Sequence, residues 1–368
     1  MKTIVISAIN IFSGGALTIL NNCLDTIVQT KLYEQYNIIT IVHKKELFTP
    51  YAQYIKLIDL PKSRNGWLKR IYYEYFYFKK LSKQLKPYLW LSLHDITPSV
   101  TAEKRAVYCH NPSPFLKLRK LDLKFDYKIV LFSLLYKYLY RINIHKNDFV
   151  IVQQQWLKNE FIKMYKLQDK KTIVAYASQS QINKTPKQNT ITTNSETTFF
   201  YPSLPRQFKN FELICQAAEI LNTKNCKFKV ILSIDGSENS YSKWILDKYR
   251  NIPNVDFHGL IPFNEMEHFY GKTDCLIFPS RLETWGLPIS EFANYNKPML
   301  LADLPYAHET SYGAKLVGYF NSNSAEELAE KMMLVIEKKY VEFHPEDKLY
   351  AEENSIAGFS DLFKTLLN

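Results

Sequence analysis

Short apolar runs alternate with amphipathic helical stretches along most of the chain. The first run, residues 3–9, precedes a helical pattern at 16–29, and in the second half the runs at 229–234 and 299–302 belong to the same alternation. Strands and helices alternate in this way when βαβ units build a parallel sheet. At 368 residues the chain is long enough for two such α/β domains.

One strand–loop–helix segment in the second half carries the most chemistry. The apolar run at 275–278 ends at Pro279, and we predict a helix that begins near Pro288. Glu283 in the loop and Glu291 in the helix are separated by seven residues. Such a unit directs backbone N–H groups towards a phosphate above the sheet edge. Carboxylates beside that phosphate are suited to accept hydrogen bonds from hydroxyls, so the segment predicts a sugar-nucleotide site.

The run PSRLETWGLPISEFANYNKPML, residues 279–300, resembles the signature of retaining glycosyltransferases of family 4, in which seven residues separate two glutamates. The resemblance implies the GT-B fold, with two Rossmann-like domains facing a central cleft. It also implies an enzyme similar to bacterial polysaccharide and O-antigen glycosyltransferases. We therefore predict an N-terminal acceptor-binding domain at 1–190, a donor-binding domain at 191–349, and a final helix near 350–368 that crosses back to the first domain.

The resemblance implies a set of donor-binding residues drawn from both halves. Glu291 would bind ribose hydroxyls, and Glu283 would bind the donor sugar together with the backbone after it. Lys209 and Arg206 would hold the pyrophosphate, although they lie closer together than is usual in the family. The predicted donor-binding residues are Gly14, Gly15, Arg206, Lys209, Gly259, Glu283, Trp285, Gly286, Leu287 and Glu291.

Polar residues also follow two predicted strands of the first half. His94 and Asp95 follow one strand and His110 follows the next. The carboxyl ends of strands are where an open α/β sheet binds its ligand, so we predict that these three residues bind the acceptor. His110 resembles the strand-end histidine that reaches into the cleft in family 4, and we predict it as catalytic with Glu283 and Lys209.

Charge is divided unevenly along the chain. Residues 1–190 contain 30 lysines and arginines against 12 acidic residues, a net +18, while residues 191–368 contain 17 against 24, a net −7. Basic and aromatic residues are interspersed at 67–90 and 115–146. This composition favours contact with an anionic membrane surface, and nucleic-acid binding is the competing use. The acidic second half is not expected of a protein that wraps a nucleic acid, so we predict no nucleic-acid partner.

The remaining expectations concern cofactors, mechanism and location. No Asp-x-Asp sequence occurs, so we predict no metal and no other cofactor. The resemblance implies retention of anomeric configuration, with a hexose moved from a UDP- or GDP-linked donor to a sugar acceptor, which we expect to be lipid-linked. The sequence has no secretory or transmembrane pattern, and its five cysteines lack metal-type pairing. We therefore expect a cytoplasmic protein attached peripherally to the inner face of the cell membrane.

Two other classes of function compete with this interpretation. A GT-B-like epimerase or hydrolase would use the same sugar nucleotide but would form product without an acceptor. A non-enzymatic basic module that binds membranes or nucleic acid would show no saturable binding of sugar nucleotides.

Overall fold

The computed structural model describes residues 1–12, 14–176, 196–224, 226–339, 343 and 355–368. The chain divides into two compact units. Unit 1 contains Met1–Asn111, Leu135–Gln179 and Ala351–Asn368, and unit 2 contains Pro112–Leu134 and Ser180–Tyr350. Within the described ranges, every helix is too short or too polar to span a bilayer.

Unit 1 is built on a seven-stranded sheet in which all neighbouring strands are parallel. Its strands are β1 (Lys2–Ala8), β2 (Tyr36–Val42), β3 (Lys56–Asp59), β4 (Leu89–Ser92), β5 (Lys104–Cys109), β6 (Phe149–Val152) and β7 (Thr172–Val174). The spatial order is β3-β2-β1-β4-β5-β6-β7, with Ser7 opposite Ser92. The strand order reverses between β1 and β4, and this is where doubly wound sheets form their ligand crevice.

Both faces of this sheet are covered, because successive side chains of a strand point to opposite faces. Ile4 and Ile6 of β1 belong to one buried cluster, and Val5 belongs to another, with Phe78. The helices of the first half of the chain are α1 (Gly14–Gln29), α2 (Leu32–Gln35), α3 (Trp67–Tyr72), α4 (Phe78–Leu85), α5 (Lys120–Phe125), α6 (Tyr127–Arg141) and α7 (Gln155–Tyr165). A π-helical turn, Tyr73–Tyr77, joins α3 to α4.

Unit 2 contains a six-stranded parallel sheet with the order β10-β9-β8-β11-β12-β13. Its strands are β8 (Thr197–Tyr201), β9 (Phe228–Leu232), β10 (Val255–Phe257), β11 (Cys275–Phe278), β12 (Met299–Ala302) and β13 (Val317–Phe320). Its helices are α8 (Phe211–Asn222), α9 (Ser240–Tyr249), α10 (Met266–Lys272), α11 (Leu287–Ala293), α12 (Pro305–Thr310) and α13 (Ala325–Ile336). Here too the order reverses between the first strand, β8, and the fourth, β11.

The last helix of the chain, α14 (Phe359–Leu367), belongs to unit 1. Phe359 and Leu362 are buried in the same cluster as α1, and the Tyr88 hydroxyl donates to the carbonyl of Leu367 at 2.9 Å. The predicted return of the last helix to the first domain is therefore confirmed, as is the prediction of two parallel-sheet α/β domains.

The segment Pro112–Leu134 groups with unit 2, although it lies in the first half of the chain that we predicted to form the N-terminal domain. Its α5 is held there by polar contacts that sequence periodicity does not reveal. The predicted division at residue 190 lies outside the described residues. In unit 2, the 3₁₀ turn Phe263–Glu265 follows Pro262 and leads directly into α10.

Candidate active site

The loop between β11 and α11 is shaped by one glycine and one proline. Gly286 has φ +83° and immediately precedes α11, whose first turn contains Pro288. A Cβ at Gly286 would lie 3.2 Å from Cδ1 of Ile289, so both the backbone conformation and the space favour glycine. Pro288 suits the first turn, where its missing N–H is not needed. The helix start predicted from the sequence is thus present.

This loop is anchored at its beginning by two hydrogen bonds. The Tyr306 hydroxyl donates to the carbonyl of Ser280 at 2.7 Å, and the Arg281 N–H donates to the carbonyl of Phe208 at 2.7 Å. Phe208 belongs to the 3₁₀ turn Gln207–Lys209 that precedes α8. The signature loop and the turn before α8 are therefore joined by backbone hydrogen bonding at the carboxyl edge of β8 and β11.

Lys209 and Glu283 meet at this edge. The Lys209 ammonium donates to Oε1 of Glu283, and both side chains are largely buried. The carbonyl of Lys209 accepts from the buried hydroxyl of Tyr201 at 2.9 Å, which fixes the backbone at the lysine. A cation and a carboxylate that are each other's partner can separate to bind a phosphate oxygen and a sugar hydroxyl respectively.

The second glutamate of the signature, Glu291, lies on α11. The Tyr270 hydroxyl from α10 donates to Oε2 of Glu291 at 2.8 Å. Burial and the neighbouring Glu291 charge raise the pKa of Tyr270, so this phenol stays protonated and remains a donor. Tyr270 thus orients the carboxylate, a role that the sequence interpretation missed.

Trp285 is held from two sides within unit 2. Its indole N–H donates to Oγ of Ser290 at 3.2 Å, and its carbonyl accepts from the Thr310 hydroxyl. The backbone from Trp285 through Gly286 to Leu287 is therefore positioned by α11 and α12. This stretch follows Glu283 directly in the signature loop.

Arg206 is engaged elsewhere in this structure. Its guanidinium donates to Oδ2 of Asp126 at 2.9 Å, and the arginine side chain is 60% exposed.

Asn210, after Lys209, has φ +64° and donates through its side-chain amide to the carbonyls of Pro279, at 3.2 Å, and Ser322, at 2.9 Å. Asn210 therefore ties the start of α8 to the strand end before the signature loop.

Gly259 follows β10 and faces the loop after β9. It has φ +88°, and a Cβ there would lie 3.1 Å from Oδ2 of Asp235. The backbone at Gly259 thus approaches Asp235 more closely than most residues would allow. This places Gly259, one of the predicted donor-binding residues, at the carboxyl edge of the same sheet as Lys209.

In unit 1, His110 makes internal hydrogen bonds through both ring nitrogens. Nε2 lies 2.7 Å from the carbonyl of Leu93, which can only accept, so Nε2 carries the proton. Nδ1 then accepts from the Gln153 amide at 3.2 Å, and the ring stacks on Tyr108 with centroids 4.6 Å apart. Burial lowers the pKa of His110, which favours this neutral ring.

Asp95 organises the turn that contains His110. One of its oxygens, Oδ1, accepts from the backbone N–H of His110 at 2.6 Å and of Asn111 at 3.0 Å. The hydroxyls of Tyr140 and Tyr136, four residues apart on α6, donate to the Asp95 carboxylate at 3.0 and 3.1 Å. The sequence predicted Asp95 near His110 but gave no sign of the two tyrosines as its partners.

His94 is buried in a charged cluster. Its Nδ1 lies 2.8 Å from the carbonyl of Ser7, and its Nε2 lies 2.6 Å from Oε1 of the fully buried Glu74. The Arg70 guanidinium donates to the His94 carbonyl at 2.9 Å. Arg70 and Glu74, one helical turn apart, were not predicted as part of a site. The cluster fixes the strand end from which Asp95 follows.

The glycine turn of unit 1 lies at the beginning of α1. Gly14 has φ +65°, and a Cβ at Gly14 or Gly15 would meet no atom within 4 Å. The first turn of α1 contains no acidic residue. Among the described residues, no three His, Cys, Asp or Glu side chains gather in a way that could hold a metal ion.

The structure therefore brings together two groups of predicted residues, one in each unit. In unit 2, Lys209 and Glu283 are in direct contact, with the Trp285–Leu287 backbone following in the same loop. In unit 1, Asp95 and His110 are in direct contact. Glu291 lies on the helix that the signature loop enters, and its described partner is Tyr270.

Comparison with known families matches the second half of the chain. Residues 181–354 match the family model described as glycosyl transferases group 1. The match contains the Lys209–Glu283 pair and Glu291. Comparison of the chain with curated proteins gives no match.

Comparison with solved structures gives matches over the whole chain. A glycosyltransferase from Rickettsia africae ESF-5 has a TM-score of 0.66 at 14% identity and covers 100% of this chain and 99% of its own. Anabaena HepE in complex with UDP-glucose has a TM-score of 0.62 at 14% identity, covering 100% and 99%. A mutant of S. aureus TarM in complex with Fondaparinux, alpha-GlcNAc-glycerol and UDP has a TM-score of 0.66 at 12% identity, covering 100% of each chain.

These matches define the class of fold. The two parallel-sheet α/β units have the fold of GT-B glycosyltransferases. The residues that match the glycosyl transferases group 1 model contain the cation–carboxylate pair of unit 2.

Proposed function

We propose that this protein is a retaining glycosyltransferase that moves a hexose from a nucleotide sugar to a sugar acceptor. The observation that carries the proposal is the contact between Lys209 and Glu283 at the carboxyl edge of the unit 2 sheet. It lies within the residues that match glycosyl transferases group 1. A phosphate-binding cation and a hydroxyl-binding carboxylate in contact suit a ligand that carries both groups.

In the proposed reaction, the bond between C1 of the donor sugar and the phosphate oxygen breaks while the acceptor hydroxyl forms a new bond to C1. The electron pair of the broken bond goes to the diphosphate, whose charge Lys209 stabilises. The proton of the acceptor hydroxyl moves to the departing phosphate oxygen. The reaction therefore needs no separate base, which suits a His110 ring with both nitrogens engaged.

Glu283 and Glu291 bind donor hydroxyls in this proposal. Glu283 leaves Lys209 to accept a hydrogen bond from the sugar, and Glu291, oriented by Tyr270, accepts from the ribose. Arg206 would reach the pyrophosphate only by leaving Asp126. We propose that Lys209 neutralises the phosphate charge without a metal; full turnover in EDTA supports this, and dependence on added magnesium or manganese contradicts it.

The nucleoside of the donor is proposed to be uridine in the first instance. HepE was solved with UDP-glucose and TarM with UDP, and both share the fold of this chain. A thermal-shift panel of UDP- and GDP-linked hexoses tests the choice. The proposal expects the UDP series to raise the melting temperature in a saturable way. A shift with the GDP series alone contradicts the choice of uridine, and no shift with either series contradicts the donor site.

Requirement for an acceptor separates the proposed function from its nearest competitor. A transferase releases nucleoside diphosphate faster when a sugar acceptor is added, whereas an epimerase or hydrolase forms product from the donor alone. NMR of the product sugar reports the anomeric configuration, and retention is expected.

We also propose that unit 1 docks on an anionic membrane, where a lipid-linked acceptor would be presented. Leu68, Tyr72 and Phe76, spaced four residues apart, are 84%, 51% and 65% exposed. The exposed lysines Lys69 and Lys80 flank them, and more lie along α4. Exposed apolar side chains within a basic surface suit the headgroup region of a bilayer.

Liposome co-sedimentation tests this surface. Each lysine near an anionic bilayer contributes about 1 kcal/mol, so binding should require anionic lipid and weaken at high salt. The double change Leu68→Ser and Phe76→Ser should abolish it. Phe263→Ser, at a phenylalanine of unit 2 that is 86% exposed, is the matched control and should leave it unchanged. Equal binding to neutral vesicles contradicts the proposal.

A further inference from the structure

Helix α5 with its flanking residues, 119–126, makes polar contacts with both loops of the unit 2 site. Arg119, immediately before the helix, donates through Nη1 to Oδ1 of Asn210 at 2.9 Å. Its Nη2 donates to the carbonyl of Ser322 at 2.9 Å. Asn210 is the residue directly after Lys209. The arginine therefore joins the start of α8 to the end of β13.

Asp122 makes the corresponding contact with the signature loop. Its Oδ2 accepts from the Arg119 N–H at 2.7 Å, which caps the start of α5. Its Oδ1 pairs with the guanidinium of Arg281, and the Asp122 side chain is fully buried. Arg281 also donates to the carbonyl of Lys117 at 3.0 Å. Arg281 precedes Glu283 by two residues, so this buried pair holds the loop beside the glutamate.

Two further contacts attach the segment to unit 2. Asp126 accepts from Arg206, three residues before Lys209, at 2.9 Å. The Phe125 ring packs against Trp244, with centroids 5.4 Å apart. The segment is therefore connected both to the site loops and to α9.

The position of these contacts in the chain matters for the proposed reaction. Lys209 and Glu283 hold each other only while no donor is bound, because the donor would separate them. Asn210 lies directly after Lys209 in the sequence, and Arg281 lies two residues before Glu283, so neither residue belongs to the pair itself. Their contacts with α5 can persist after the pair opens, so the backbone at Lys209 and at Glu283 stays in place while the two side chains turn to the ligand.

We propose that α5 is a positioning element for the donor site, with Arg119 and Asp122 as positioning residues that act through Asn210 and Arg281. This inference rests on the proposed glycosyltransferase function. It assigns to a segment from the first half of the chain the task of holding the two loops at the spacing that a nucleoside diphosphate requires. Arginine suits this task because its planar guanidinium bridges two acceptors that lysine cannot hold together.

The experiment measures UDP binding by calorimetry and donor kinetics in Arg119→Gln and Arg119→Lys. Arg119→Gln loses a charge-assisted pair of hydrogen bonds, so we expect UDP affinity to fall about tenfold. Arg119→Lys should recover part of that loss. The donor KM should rise in both, and kcat should fall, since the leaving-group cation is also displaced.

Asp122→Asn and Arg281→Gln, alone and combined, test the second contact. If the buried pair positions the loop, the two changes are coupled. The loss of UDP affinity in the double variant should then be smaller than the two single-variant losses multiplied together. A single change here removes one partner of a buried ion pair and can prevent folding. The Arg119 variants keep the proposal testable in that event.

Two controls separate positioning from stability. Ile245 is a buried residue of α9, and Ile245→Val should lower the melting temperature while leaving UDP affinity unchanged. Lys120→Gln, at an exposed lysine on α5, should change neither. All measurements are made at a temperature where every variant is folded.

The outcomes separate this inference from the function on which it rests. If the wild-type protein binds neither UDP nor GDP, the proposed function fails. If the wild type binds but the Arg119 variants bind equally well and differ only in melting temperature, α5 has a structural role and the positioning inference is overturned. Weaker binding in Arg119→Gln, partly restored in Arg119→Lys, supports it.

Discussion

Replacement of Lys209 by alanine tests the chemical role of the unit 2 pair. The ammonium is the partner of Glu283, and its side chain is 17% exposed, so its charge is only partly screened by water. Removal of one positioned group that stabilises developing charge in an active site costs about 100-fold to 1,000-fold in turnover. That range corresponds to roughly 2.7–4 kcal/mol in the activation free energy.

The exposure of Lys209 argues for the lower end of this range. We therefore expect Lys209→Ala to lower kcat about 100-fold. The donor KM should change less than kcat, because the leaving diphosphate gains charge mainly in the transition state. Lys209→Arg keeps a cation beside Glu283 and should retain more activity than the alanine variant.

The assay follows acceptor-dependent release of nucleoside diphosphate, with a melting curve for each variant. Lys229→Ala is the matched control, since Lys229 pairs with Asp256 at 2.9 Å in the same unit and is 42% exposed. The control should keep wild-type turnover. The reasoning is refuted if Lys209→Ala keeps kcat within about threefold of wild type, or if only its KM rises.

Three other changes test separate parts of the site. Glu291→Ala should weaken donor binding about tenfold in calorimetry, since a carboxylate that accepts ribose hydroxyls is lost; equal affinity would remove that role. Gly286→Ala should destabilise the protein by about 1–2 kcal/mol in urea unfolding, because φ +83° strains a residue with a Cβ; unchanged stability contradicts this. His110 is neutral when folded because burial lowers its pKa, whereas in the unfolded chain the ring takes up a proton at about pH 6.5. Its contribution to stability is therefore present above that pH and lost as the pH falls further. His110→Gln should consequently narrow the difference in melting temperature between pH 7.5 and pH 5.5, and an unchanged difference contradicts a neutral His110 ring in the folded protein.

The parts of the fold that local pattern determines could be predicted from the sequence. The apolar run at Cys275–Phe278 is a buried strand, and Pro288 lies in the first turn of the next helix. Both follow from the local preferences of the residues themselves. Glu283 and Lys209 were predicted from the resemblance to a family, and the structure adds that they are in contact.

The partners of these residues could not be predicted, because they lie on other elements of the chain. Tyr270 on α10 donates to Glu291 on α11. A tyrosine at this position of a helix is as typical of a core residue as of a residue that orients a carboxylate. Glu74 on a π-helical turn contacts His94 in the same way. Periodicity reports which face of an element is buried but not which residue of another element it meets.

The placement of α5 shows the same limit at the level of whole units. Charge and aromatic content led us to predict an interfacial role for residues 115–146. In the structure, the charges of Arg119 and Asp122 within that range are used inside unit 2. Composition cannot separate a charge that faces solvent from one that pairs with a distant residue. The interfacial role of α3 and the π-helical turn stays a prediction, which the liposome assay tests.

The most direct test of the central claim is a calorimetric titration of the wild-type protein with UDP and with GDP. If unit 2 is a nucleotide-sugar donor site, one of the two should bind with a single saturable transition at one molecule per chain. Glu291→Ala should weaken that binding, while Lys229→Ala should not. Absence of saturable binding with both nucleotides would contradict the donor site and the glycosyltransferase function built on it.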